Sequence, residues 1–274
     1  MEPAVGVAIL LLVFGGTHVG LASRRVRAAL FGRFGEVGFT VLFSLVAVVT
    51  FGVLIHQYAV HRFEGPPGLA RGRLAPVRWL LMAHVVAGVV LIVAGVIVFP
   101  RSPMALFTDP EAPPRGLTRI TRHPFLVGMA LLGGAHALLA TRLVGTVAFG
   151  GLGLFAIVGA WHQDRKLLAL RGPSYARYVE ATSALPFAAV LAGRQAVVWS
   201  ELPFGALAAG FAAAFGLRAV HADILSAGGA WVVAITAALP VALGFEAWRR
   251  TRRRRDATAP ASAFARAGSA RAKQ

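Results

Sequence analysis

The chain has 274 residues and a formal net charge of +17; 57% of its residues are hydrophobic and only 14% are charged. A soluble domain carries about 25% charged residues, so a wholly water-facing surface is excluded and a lipid-facing one is implied. Cysteine is absent, which removes disulfides, thiolate ligands and cysteine-held iron–sulfur clusters from consideration.

A helix needs roughly 20 apolar residues to cross the hydrocarbon of a bilayer. Candidate spans run over residues 4–22, 37–60, 79–99, 124–141, 143–162, 202–220 and 227–248. The expected fold is therefore all-α: a polytopic membrane helix bundle of about seven transmembrane helices. The first span has no basic residue ahead of it and no small-residue cleavage pattern, so it reads as a retained helix rather than a signal peptide. The segment 61–76, with Gly65, Pro66, Pro67 and Gly68, reads as an irregular loop. The fourth and fifth spans form a hairpin turning at Arg142. Residues 163–195 carry Leu167, Tyr175, Tyr178 and Val179 among charges, which predicts a helix lying on the membrane face with its tyrosines at the interface. The sixth span is the weakest, because Arg218 interrupts its end.

Charge then sets direction. Arg24, Arg25, Arg27 and Arg33, then Arg101, Arg115, Arg119 and Arg122, then Arg165, Lys166, Arg171, Arg177 and Arg194, and finally the run from Arg249, all fall on one side of a seven-span arrangement. The positive-inside rule gives an N-out/C-in topology. The basic excess is thereby explained by membrane orientation and contact with anionic lipid, so no nucleic-acid partner is expected. Three regions follow: residues 1–222 as the main membrane domain, 223–250 as an additional C-terminal transmembrane helix, and 251–274 as a basic tail whose composition predicts disorder. An integral, multi-pass location in a bacterial inner membrane is the expectation.

His18, His84 and His136 fall within spans. A neutral imidazole there can bond across a helix pair, or it can hold a metal. Two such imidazoles suit the axial positions of a haem in a helix bundle. Gly15-Gly16-Thr17-His18 and Gly133-Gly134-Ala135-His136 share a pattern in which Gly15 and Gly133 sit one turn before the histidine, leaving space beside it for a flat ring. On depth alone His84 matches His136 better than His18 does. Arg119, Arg122 and His123 open the fourth span just before Pro124. A helix N-terminus with two arginines suits an anion such as a haem propionate or a lipid phosphate.

The run Gly116-Leu-Thr-Arg-Ile-Thr-Arg-His-Pro124, with Gly128, Ala135-His136, Gly159-Ala-Trp161, Asp164-Arg-Lys-Leu-Leu168, Thr182-Ser183, Pro186-Phe187-Ala188-Ala189 and Gly193-Arg194-Gln195, resembles the NnrU family and its plant and algal branch of 15-cis-zeta-carotene isomerases. The resemblance covers residues 5–221, most specifically 116–195. It implies a multi-pass haem b protein and a redox-dependent cis–trans isomerase of an apolar polyene, supplied with electrons by a redox partner. Carried over by motif, it makes His18 and His136 the iron ligands; with the residue-level reading above, Arg119, Arg122, His123, Gly15 and Gly133 complete the expected cofactor-binding set. The isomerase pattern has a cysteine one turn before the second ligand; Gly133 stands there here, so a thiolate exchange is excluded. The family's link to nitric oxide and nitrite (denitrification) metabolism gives an alternative role. Arg122-His-Pro-Phe125-Leu-Val-Gly128 with Asp164 also looks like the isoprenylcysteine carboxyl methyltransferase group, which implies S-adenosylmethionine instead.

Overall fold

The computed structural model describes residues 2–99, 102 and 112–238. The chain divides into a unit Met1–Ala237 and a second from Ala238; the architecture below is that of the first. All of its named elements are helices: α1 (Pro3–Ala22), α2 (Arg24–His61), α3 (Ala75–Val98), α4 (Leu117–Ile120), α5 (Pro124–Leu139), α6 (Leu143–Arg171), α7 (Pro173–Ala181), α8 (Ala188–Leu191) and α9 (Phe204–Ala219), with 3-10 turns at Arg71–Arg73 and Trp199–Glu201.

The fold is that of a helical membrane protein. Among the described residues, four helical segments are long and apolar enough to cross a bilayer: Pro3–Ala22, Val37–His61, Ala75–Val98 and Leu143–Arg171. Large apolar side chains face outward on them, Leu12 at 76% and Val37 at 77% exposure, which water would penalise and lipid does not. The helices α5 and α9 are shorter than the spans expected there, at 16 residues each. At 1.5 Å per residue that is about 24 Å, less than a hydrocarbon core of about 30 Å. Of the expected seventh span, residues 227–229 lie in a turn and 230–238 are helical; the residues beyond 238, and the tail, lie outside the described residues.

Local chemistry sets the helix ends. Glu2 caps α1 by accepting the Val5 amide at 3.1 Å, with Pro3 in the first turn, where a missing N–H costs nothing. Inside α2, Gly35 adopts φ 70 and ψ 179 and divides it into two helices. Gly172, at φ 56, ends α6, and Pro173 starts α7.

The helices pack in the order α2, α1, α6, α5, α3, α9. Small residues set the spacing. A Cβ on Gly128 of α5 would meet the Gly88 carbonyl of α3 at 2.6 Å. Leu11 of α1 packs on Gly151 of α6, and Gly133 of α5 packs on Gly153 of α6. Residues two apart on a helix of 3.6 residues per turn point about 200° apart, so α6 runs between α1 and α5. At the end away from α7, the 61–76 loop is strapped to the α5–α6 turn. Gly68 donates to the Thr141 carbonyl, Ala70 to Ala140 and Leu143 to Pro66, each at 2.9 Å.

The membrane-face helix expected within 163–195 is corrected. The first part of that stretch continues α6 to Arg171. The short α7 then turns back so that Tyr175 and Tyr178 are buried against Leu167 instead of lying at a lipid interface. Positions 175, 178 and 179 form one apolar face at helical spacing, and α6 offers a closer apolar surface than the bilayer edge does.

Candidate functional site

Two constellations carry the polar chemistry. The first lies where α4, α5, α6 and α7 meet. His123 precedes Pro124 at the start of α5, and Asp164 stands near the end of α6. Asp164 Oδ1 accepts a hydrogen bond from His123 Nε2 at 2.9 Å and from the Tyr175 hydroxyl at 2.7 Å. Asp164 Oδ2 accepts from Arg122 Nε and Nη2, both at 2.8 Å. Aspartate, histidine and tyrosine are all buried. A carboxylate has acceptor sites and no donor, so His123 carries its proton on Nε2 here. Burial, followed by the bond to Asp164, pushes the Tyr175 phenol well above its usual value. Burial pushes the Tyr178 phenol up to about 12.

Around this latch the backbone is tied down. Thr121 Oγ1 donates to the Ala184 carbonyl at 2.7 Å, the Arg122 amide donates to Ser183 and the Phe187 amide to Ile120, both at 2.9 Å. Arg119 grips Glu201 with Nε at 2.8 Å and Nη2 at 3.1 Å, and Gln195 with Nη1 at 2.9 Å. The Gly116 amide also donates to Glu201 at 3.0 Å. Arg119, then the Gly116 N–H, hold the Glu201 carboxyl down at about 2.

The expected anion site at Arg119, Arg122 and His123 is thus assembled, but with Asp164 and Glu201 as its anions. The neighbouring Arg165 is not the partner of Asp164: its guanidinium lies over the Trp161 ring, 4.6 Å from its centroid. Neighbouring helix residues point apart, so Asp164 reaches across to α5 and α7. Both oxygens of Asp164 are thereby committed to three side chains of the protein, Arg122, His123 and Tyr175.

The second constellation is the set of histidines in the apolar helices. His18 sits among Phe14, Phe43 and Phe155, with ring centroids at 5.5, 4.8 and 5.5 Å. Its Nδ1 is buried and has no hydrogen-bond partner. His136 packs 4.7 Å from Phe149. Its Nδ1 donates to the Leu132 carbonyl at 3.0 Å, which fixes the tautomer and leaves Nε2 as a lone-pair donor. His84 makes the same bond to Leu80 at 2.8 Å. The imidazole beside His136 is that of His221, just past α9, with centroids 6.2 Å apart and planes inclined by 18°.

The donor chemistry at His18 and at His136 fits an iron porphyrin, because each ring keeps one nitrogen available. The glycine spaces do not match the expected cradle. A Cβ on Gly15 would touch Phe155 at 3.4 Å, and one on Gly133 would meet the α6 backbone at 2.6 Å. Both glycines serve contact with α6. His221 is the residue that sequence reasoning passed over, as a histidine near a span end.

A helical, lipid-facing bundle with imidazoles among its apolar side chains and a closed polar latch at one end defines a polytopic membrane protein. The chain belongs to the NnrU family: the family model described as "NnrU protein" matches residues 7–245. It is similar to the 15-cis-zeta-carotene isomerase, chloroplastic, of Arabidopsis thaliana, 30% identical over 201 residues, which is 71% of this chain and 52% of that protein. It is similar also to the protein of the same name from Zea mays, 28% identical over 197 residues, 70% of this chain and 52% of that one. The chain spans about half the length of the curated relatives it matches. No solved structure matches.

Proposed function

We propose that the chain is a cis–trans isomerase of an apolar, lipid-soluble polyene such as 15-cis-zeta-carotene, and that it binds haem b. The observation that carries the reading is the 30% identity over 201 residues to a protein whose name states that activity. The free imidazole nitrogens inside apolar helices support it. When bound, haem would supply a redox-active iron beside a conjugated chain. The proposal extends to an electron donor for that iron, and to a bacterial inner membrane with the N-terminus outside and the C-terminus inside.

Everything else falls to the chain's own residues. His18 and His136 are the candidate iron ligands. The Leu132 carbonyl orients the His136 ring and holds its proton on Nδ1. Phe14, Phe43 and Phe155 about His18, and Phe149 about His136, exclude water and offer flat apolar walls. Because α6 stands between α1 and α5, His221 joins His18 as a candidate partner of His136. The latch at Asp164 fixes the start of α5, and so the register of His136 three turns further on.

An absorption spectrum of the detergent-purified chain, recorded before and after dithionite, tests the cofactor. A Soret band that shifts on reduction is expected; none, in protein from haem-replete cells, overturns haem binding. Membranes containing the protein, incubated with 15-cis-zeta-carotene under reducing conditions and resolved by chromatography, test the reaction. Failure to form the isomer with a trans central bond overturns the activity.

A further inference from the structure

At the corner between α1 and α2, beneath the last turns of α6, lies a cavity of about 680 Å³ whose walls include Arg24, Arg25, Arg27, Lys166, Phe31 and Leu170. No acidic residue is among its described lining residues. The Arg27 guanidinium sits over Phe31, 4.7 Å from the ring centroid, and 5.8 Å from that of Phe39. Its Nε is buried without a hydrogen-bond partner. A second buried nitrogen close by is also unpartnered, Nε2 of His162. Lys166 lies near enough to act electrostatically on Arg27, His18 and His162.

Buried polar groups are satisfied in nearly every folded protein, and each exception requires a physical reason. Converging cations with no internal anion repel one another unless a ligand neutralises them. Two arginines of the same face, Arg119 and Arg122, have their carboxylates in Glu201 and Asp164; this group has none among the lining residues. What is missing is an anion with several acceptor oxygens. Leu170, at the end of the lipid-crossing α6, and Phe31, in the half of α2 that precedes Gly35, favour one attached to an apolar body.

We infer that this corner is a binding site for the phosphate headgroup of an anionic glycerophospholipid, held by Arg24, Arg25, Arg27 and Lys166. The inference does not depend on haem or on isomerisation. Inorganic phosphate shares the headgroup's chemistry, and the experiment separates the two.

The full chain is purified in detergent, exchanged into nanodiscs of phosphatidylcholine with 20% phosphatidylglycerol (about one anionic lipid in five), and examined by native mass spectrometry after gentle lipid stripping. The wild-type chain is expected to keep one phosphatidylglycerol in preference to phosphatidylcholine by about tenfold, and to keep it in millimolar inorganic phosphate. Arg27→Gln with Lys166→Gln is expected to abolish the preference, and Arg27→Lys to retain most of it. Arg73→Gln, in the loop at the opposite end of the bundle, is expected to change nothing. Equal retention of the two lipids by the wild-type chain, which needs no variant to fold, overturns the inference. So does release of the lipid by inorganic phosphate alone, which would make the site one for the free anion. A preference that survives the double substitution also overturns it.

Discussion

Gly133 of α5 and Gly153 of α6 meet backbone to backbone: a Cβ on Gly133 would stand 2.8 Å from the Gly153 nitrogen and 2.9 Å from its Cα. Backbone cannot swing aside as a side chain can. Gly133→Ala is expected to destabilise the helix pair by about 3 kcal/mol, at the upper end for overpacking. Gly134→Ala has nothing within 4 Å of the new methyl and is expected to be neutral or slightly stabilising, since alanine is favoured over glycine in a helix. Thermal unfolding of both variants in detergent checks the pair.

The Asp164 latch gives a graded series. Tyr175→Phe removes one bond to a carboxylate, at a cost of about 1.5–3 kcal/mol. Asp164→Ala leaves the largely buried Arg122 without its anion, and a loss of about 3–5 kcal/mol follows. Unfolding measured for the two variants is expected to rank in that order; the reverse order would place the main stabilisation elsewhere.

Acid acts on the Arg119–Glu201 clamp in a defined direction. The Glu201 carboxyl is held at about 2, below its ordinary 4.5. Its contribution is therefore complete above pH 4.5 and is lost as the pH falls from there toward 2. The effect is small, because the pair is partly solvated. The stability difference between wild type and Glu201→Gln should shrink through that window. Tyr178 acts at the other end: its phenol is raised from 10.0 to about 12, so its contribution is complete below pH 10 and fades between 10 and 12. Tyr178→Phe should flatten that alkaline limb.

The haem ligands are separated by spectra of single substitutions. His136→Ala is expected to abolish the Soret band. Loss in His18→Ala but not in His221→Ala assigns the second ligand to the first helix; the opposite result assigns it to His221. His84→Ala is expected to leave the spectrum unchanged.

The membrane fold was legible because hydrocarbon thickness imposes a length on apolar runs, and α1, α3 and the apolar half of α2 obey it closely. The same rule overextended α5: its last expected residues, Ala140 and Thr141, give their carbonyls to Ala70 and Gly68, a pairing across the chain that hydropathy does not encode. Of the glycines before His18 and His136, Gly133 carried a real signal of close approach, but what approaches is the α6 backbone, and a missing Cβ is the same mark for a helix or a porphyrin. The motif 119–123 was recognised as charged and structured. Its partners were not, because Asp164 and Glu201 lie 42 and 82 residues along the chain from the arginines they hold.

The latch has a consequence for biogenesis. Arg122 and His123 leave the ribosome 42 and 41 residues ahead of Asp164, and Arg119 leaves 82 residues ahead of Glu201. Until α6 has been threaded into the bilayer and α7 has folded back, the mouth of α5 holds cations with no counter-ion. Nascent chains halted before Asp164 should therefore be open to proteases at this end, and chains released after Glu201 should be closed.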